Sequence, residues 1–528
     1  MAFRVFPIMV ATPSRASRRS RLQAAKRGTI RGMRILVAFL VSGCTVGPDY
    51  HAPTPTVPQA WNGARPDAAQ AEETARRLRR WWGEFNDPVL DRLVSRAVAG
   101  NYDLRIAAQH LIEARVAREL ASIADLPTIT ASALAANQRS STTVQWPPGI
   151  GDYRTWQTGF DASWEIDIFG GNRRALEAAI ADVGAADEER RSLLVSLIAE
   201  LVSDYLNLRA AQLRTVIAER NIDSQQQSLQ LTERAFASGL GNDLAVAQAR
   251  ALVEATQATL PPLQAEVVRM TDAIAVLLGQ YPETLKADFT PLAQPVIPAP
   301  PTLPVSLPSE VVRNRPDIRR AERQIAGDTA RVGVAVAQLF PRFQVPTDFD
   351  FTTSTFHQLL TVNSLVWTFG LSASQTAFDF GRTHLRVRAA QAIAEGDRLN
   401  YEQTVISAFR DVEDALVSYN TEIKRHERLA ASANDDRIAL DRARRLYAAG
   451  LTDFLHVLDS ERAVFAAEEQ LALSELSTAQ QSVALFKALG GGWQDILPEE
   501  DPPPPPPPPK PSMMGRLTKT VGAVLHLE

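Results

Sequence analysis

Cysteine is almost absent from this 528-residue sequence; Cys44 is the only one. A single thiol excludes an intramolecular disulfide framework and any multi-cysteine metal site. No run of about twenty apolar residues occurs, so no transmembrane helix is expected. Charge of one sign is not in excess: the net charge is −4 and the pI is near 6.1, which gives no reason to expect a nucleic-acid partner. The phosphate-loop pattern GxxxxGK, the GxSxG elbow and HExxH are all missing. The seven histidines are scattered. Neighbouring carboxylates in "WEID" and "DFD" fit a polar lining better than acid–base work. No enzyme activity, cofactor or metal is expected.

What is present begins near the N-terminus. The apolar run Ile35–Val41 is too short to span a bilayer, but with Arg31 and Arg34 before it, it fits the core of a secretory signal. Val41-Ser42-Gly43-Cys44 resembles a bacterial lipobox, which makes Cys44 the lipidated first residue of the mature chain. Thr45 rather than Asp after the cysteine points, by analogy with bacterial lipoproteins, to outer-membrane sorting. The preceding Met1–Gly32 is rich in Arg and Ser, and translation from Met1 or from Met33 both fit. One or two acyl chains only tether a protein, so the lipid by itself predicts no channel.

The most informative feature is a duplication. "WQTGFDASWEIDIFGG" from Trp156 matches "WTFGLSASQTAFDFGR" from Trp367, 211 residues later. The same spacing relates "RAFASGL" from Arg234 to "RLYAAGL" from Arg445, and Leu278-Gly279 to Leu489-Gly490. Upstream, "NYDLRIAAQH" and "RPDIRRAERQ" align at 214, as do Pro127 and Pro341. The chain is therefore divided into a leader (1–43), a lipidated extended segment (44–80), a first repeat (81–290), a proline-rich linker (291–308), a second repeat (309–493) and a proline-rich tail (494–528).

Within each copy the hydrophobic period changes. Leu90, Leu93, Val94 and Ala97 recur at helical spacing, and a second helical run covers Leu104 to Ile123. After Pro127 or Pro341 the period becomes two. Trp156, Phe160, Ala162, Trp164 and Ile166 share one face; Asp161 and Glu165 share the other. Phe343, Val345, Phe349 and Phe351 oppose Gln344, Asp348 and Asp350, and Leu365, Trp367, Phe369 and Leu371 oppose Thr368 and Ser372. "TITASALAA" alternates more weakly. An aromatic face against an acidic face is the pattern of a transmembrane β-strand, although a half-buried soluble sheet alternates likewise. Trp156, Trp164 and Trp367 fit interfacial girdles. Four strands cannot close a pore, because small barrels need about eight and lipid tolerates no open edge. Spanning strands would thus require several chains in one barrel.

The rest of each copy is proline-free over Arg173–Ser238 and Arg382–Ala449, enough for helices of roughly 100 Å. Val405, Phe409, Val412, Leu416, Tyr419 and Ile423 form a coiled-coil seam, repeated by Leu194, Ile198, Leu201, Tyr205, Leu208 and Gln212. Each long helix ends at a glycine turn, Gly239 or Gly450, and a returning helix runs to Leu278 or Leu489.

Together these parts resemble the TolC-type outer-membrane efflux proteins, in their NodT/OprM-like lipoprotein branch. The matching motifs are "WWGEFNDPVLDRLVSRAVAGNYDL", "WEIDIFGGNRR", "RPDIRRAE", "FDFGR", "LYAAGLTDFLHVLDSERAVF" and "LFKALGGGW". The resemblance implies an α+β membrane protein with two tandem repeats of coiled-coil helices and a β-hairpin. It implies a homotrimer, whose four strands per chain make a twelve-stranded outer-membrane barrel continuous with a periplasmic helical barrel. It implies a periplasmic adaptor (membrane-fusion) protein and an inner-membrane pump of the resistance–nodulation–division class as partners, with outer-membrane lipid around the barrel. The family's periplasmic gate, carried over, falls on Leu455 and Asp459, with Arg462 one turn on. The matching positions of the first copy are Leu244 and Gln248, so a ring of acids comes from the second copy alone. Such a ring would bind cations or take up protons as it narrows; the plainer reading is an Asp459–Arg462 ion pair. Gly239, Leu240, Gly450 and Leu451 resemble the tips where adaptors seat. Asp161, Glu165, Asp348 and Asp350 would line the barrel lumen. The alternative is a periplasmic structural or adaptor lipoprotein whose strands form a soluble sheet.

Overall fold

A computed structural model describes residues 45–58, 61, 76–139, 152–285, 295–300 and 308–496. In chain order its main elements are α1 (Pro88–Gly100), α2 (Tyr102–Ser122), β1 (Thr128–Arg139), β2 (Asp152–Ile166), α3 (Gly171–Ala237), α4 (Asp243–Gln257), α5 (Leu260–Leu277), α6 (Pro308–Asn314), α7 (Pro316–Ala337), β3 (Arg342–Thr353), β4 (Leu365–Phe369), β5 (Ser372–Ser374), α8 (Arg382–Ala448) and α9 (Phe454–Ala488). The chain forms two units, one of residues 1–54, 110–187 and 320–403, the other of residues 55–109, 188–319 and 404–528.

The duplication read from the sequence is present in three dimensions. Helices α3 and α8 are each 67 residues long, and both their ends are 211 apart. Strands β1 and β3 correspond at 214. Even the hairpin registers agree: Thr128 faces Ser163 and Thr130 faces Asp161 in the first copy, while Arg342 faces Ser374 and Gln344 faces Ser372 in the second.

In the first unit the strands form one antiparallel sheet in the order β1-β2-β3-β4, with β5 also on β3. The last strand expected from the alternation is thus split in two. The break at Gly370–Leu371 lies opposite Pro346, which has no N–H to give; Gly370 N–H donates to its carbonyl at 3.1 Å. The register on either side is unbroken, Thr347 facing Phe369 and Gln344 facing Ser372. Side chains take over where the strands end. The Asp167 carboxylate accepts from Arg173 N–H at 3.0 Å to open α3, and Asp379 accepts from Thr383 N–H at 2.8 Å to open α8.

The second unit is built on the coiled-coil seam. Leu194, Ile198, Leu201, Tyr205, Leu208 and Gln212 are all buried, as are Val405, Val412 and Leu416. Trp81 stacks on Phe486 at 5.1 Å. The repeats are stitched alike: Asn101 donates to Leu277 O at 3.0 Å, and its counterpart Arg315 donates to Ala488 O at 2.9 Å. One expectation needs correction. The returning helix is continuous in the second copy (α9) but divided in the first, between α4 and α5. Pro261 and Pro262 cause it, since a helix interior does not tolerate proline although a first turn does; the second copy has Ala472 and Leu473 at these positions.

Candidate functional site

The strand alternation puts two chemically opposed faces on the sheet. Residues directly opposite share a face, so the register aligns Phe160, Phe349 and Trp367 on one side and Asp161, Asp348 and Thr368 on the other. The apolar side is the exposed one: Phe349 is 48% accessible, Trp367 69% and Phe369 72%. Trp156 and Trp164 lie eight residues apart along β2, about 26 Å at strand rise, which at the tilt of a membrane-barrel strand covers about 20 Å of its apolar band. Trp367 faces Phe349 and hence Phe160, which stands midway between those two tryptophans along β2.

The acidic face is more enclosed. Asp350 is 7% exposed. Gln157 donates to its Oδ2 at 2.9 Å, and its Oδ1 lies on Gly159, where an added Cβ would come within 1.8 Å. The glycine in "TGFDAS" is the space that Asp350 fills. Asp161 faces Asp348, and Glu165 faces Gln344 nearer the strand ends. Among the described residues no group of three or more His, Cys, Asp or Glu is placed to hold a metal ion, and no helix is long and apolar enough to cross a membrane.

At the other candidate region the two glycine turns have one geometry. Gly239 and Gly450 have φ of +73° and +69°. Leu240 N–H donates to Ala235 O and Leu451 N–H to Leu446 O, both at 2.9 Å, the bond of a Schellman cap. The leucine after each glycine is left outside, Leu240 at 88% and Leu451 at 74% exposed. A groove of about 560 Å³ brings Leu240, Leu244, Gln248, Tyr447, Gly450 and Leu455 together. Beneath it Phe454, Val457 and Leu458 pack on Ala245, Ala249 and Leu252. Leu455 and Asp459 are exposed on one face of α9, with Arg462 one turn further, and Asp459 makes no ion pair with Arg462.

Cys44 lies outside the described residues, but the segment after it is held firmly. Val46 N–H donates to Phe169 O at 3.1 Å. The buried Arg174 donates to Val46 O at 3.2 Å, Asp49 at 2.6 Å and Glu177 at 2.7 Å, which holds the Asp49 carboxyl below the usual range. Gly47 approaches Gly333 so closely that a Cβ would meet its Cα at 2.4 Å. Tyr50 donates to Glu322 at 3.1 Å. In the sequence Arg174 shows only as one arginine of "GGNRR", with no local signal of its role.

The family profile described as outer membrane efflux protein matches residues 93–280 and 307–491. The cation efflux system protein CusC of Escherichia coli O6:H1 is 30% identical over 470 residues, covering 87% of this chain and 98% of that protein. The pyoverdine export outer membrane protein OpmQ of Pseudomonas putida is 33% identical over 458 residues, covering 84% and 94%. Among solved structures, the outer-membrane channel OprN superposes with a TM-score of 0.77 at 39% identity, over 85% of this chain and 100% of that one. With an exposed aromatic sheet face, duplicated coiled coils and these matches over most of its length, the chain belongs to the outer membrane efflux protein family, the trimeric outer-membrane channels of tripartite efflux systems.

Proposed function

We propose that this chain is a passive exit duct gated at the helical tips. Three copies surround the path, an inner-membrane pump supplies the energy, and no bond of the cargo is made or broken. The observation that carries the reading is the exposed aromatic face of the sheet; Asp161, Glu165, Asp348 and Asp350, on the opposite face, line the lumen. A soluble sheet would cover that aromatic face. Leu455 and Asp459 face the aperture, where three copies make an apolar ring above an acidic one. Arg462 sits behind them, free to meet a neighbouring subunit. Gly239-Leu240 and Gly450-Leu451, with the groove between them, seat the adaptor through apolar contact. Cys44 carries lipid, and the Arg174 clasp fixes the chain just beyond it. The names of the relatives span cations, pyoverdine and solvents, which fits a duct whose cargo is chosen by the pump. Single-channel recording of purified protein tests the gate: Asp459→Ala is expected to raise conductance several-fold, and an unchanged trace from intact trimers would refute the assignment.

A further inference from the structure

The α3 seam changes character along its length. From Leu194 to Leu208 the buried positions are Leu, Ile, Leu, Tyr and Leu; from Asn221 onward they include Asn221, Gln225, Ser228 and Thr232. These four stand at i, i+4, i+7 and i+11, on one helical face. They meet a ladder of charges at seven-residue spacing. Glu461 of α9, 2% exposed, accepts from Arg444 of α8 at 2.7 Å and from Ser228 at 2.5 Å. Arg444 also donates to Ser224 O at 3.0 Å. One heptad on, Glu468 accepts from Arg437 at 2.7 Å and from Asn221 at 2.9 Å.

The division of labour is specific. Both charges of each layer sit on the α8–α9 hairpin, so the hairpin is neutral there by itself. In these two layers helix α3 contributes hydroxyls, an amide and the Ser224 carbonyl, groups that water replaces without stranding a buried charge; its charged contact with α9, Arg214 to Glu469, lies nearer Leu208 and is partly exposed. Between the two layers, the Gln225 side chain is 2% exposed and neither its Oε1 nor its Nε2 has a partner. An orphaned buried amide is a standing cost to the packed arrangement. An apolar heptad would have been the more stable core.

We infer that Ser228 and Asn221 are positioning residues that latch the gate helix α9 to α3, and that Gln225 weakens the same seam so that it can part from Asn221 to the tip. The inference rests on the reading of Leu455 and Asp459 as the gate, since they ride on α9 within two turns of Glu461.

Reconstituted trimers in planar bilayers test it, with the heat-modifiable trimer band as the check on assembly. The double variant Ser228→Ala/Asn221→Ala is expected to raise mean conductance at least twofold, and Ser228→Thr/Asn221→Gln to restore it. Gln225→Leu, which buries a methyl in place of the orphaned amide, is expected to move conductance the other way, to or below the starting level. A merely structural role would not give opposite shifts in trimers of equal abundance. If Asp459→Ala raises conductance while the seam variants leave it unchanged, the gate stands and the latch is refuted. If Asp459→Ala is silent while the seam variants still diverge, the latch stands and the gate residues are misassigned. Silence of all three refutes both.

Discussion

Phe169 stacks on Phe340 at 4.6 Å with 22° between the ring planes. The repeat puts Phe380 where Phe169 stands and Leu126 where Phe340 stands, yet these two are 80% and 62% exposed. The backbone at Phe380 is held at a φ of +56°, a cost for a bulky residue, with Asp379 capping the turn beside it. Ile112, Val116 and Leu120 on α2, and Ile123 just past its end, are exposed as well, although their counterparts Ala326, Ala330, Val334 and Ala337 are at least partly buried within the chain. A duplicated subunit makes one contact of each kind internally and leaves its counterpart for a neighbour. Phe380 is therefore expected against the partner's Leu126. With Phe380→Cys and Leu126→Cys in one chain, a short bifunctional maleimide should give covalent trimers, and neither single variant should. Trimers that form but do not cross-link would place the subunit seam elsewhere.

The N-terminal clasp turns on Arg174. Replacing it by alanine removes its bonds to Asp49, Val46 and Glu177. Because Asp49 is exposed, no buried charge is stranded, and the loss falls on the local hold of this segment. Limited proteolysis should cut between Thr45 and Thr54 far sooner in Arg174→Ala than in the parent, with the sheet intact. Equal rates would show that the clasp does not hold the segment.

Gly239 and Gly450 have nothing within 4 Å of a built Cβ, so alanine there meets no clash. It meets only the left-handed backbone, at about 1 kcal/mol per site. Thermal unfolding of Gly239→Ala/Gly450→Ala should show the two penalties adding. A neutral double variant would mean that the turns relax freely.

Asp204 on α3 gives a pH signature. Burial, and then the neighbouring Glu200, lift its carboxyl from 3.8 to about 6. A carboxyl with a folded pKa above its unfolded value binds its proton more tightly when folded. Its contribution to stability therefore grows as pH falls through about 6 and levels off near the unfolded value, the reverse of a salt-bridged aspartate. Asp204→Asn should raise the melting temperature near neutral pH and flatten its slope between about pH 4 and 7. An unchanged slope would rule out Asp204 as its source.

Much of this was legible in the residues. The two-residue period from Trp156 to Ile166 places Phe160 and Asp161 on opposite faces whatever surrounds them, because strand side chains alternate. The 211-residue spacing recurs in the helix ends, and glycine before an exposed leucine marks each turn. What was not legible depends on partners distant in sequence. Nothing local reveals that Pro346 interrupts the opposite strand, since its effect falls on Gly370. The heptad spacing of Glu461 and Glu468, or of Asn221 and Ser228, can be read from the sequence; that they meet in two layers, one with Arg444 and one with Arg437, cannot.

The sequence by itself determined the local periods, the duplication and the family, because each is written in residues close together or repeated at a fixed distance. Only the tertiary structure decided which copy of each contact is made within the chain. Phe169 finds Phe340 because β2 pairs with β3; Phe380 and Leu126 end at free strand edges and stay bare. Only the tertiary structure, too, set Ser228 and Asn221 against charges more than two hundred residues away. Burial is a property of neighbours in space, and two copies of one pattern receive different neighbours once the chain is folded.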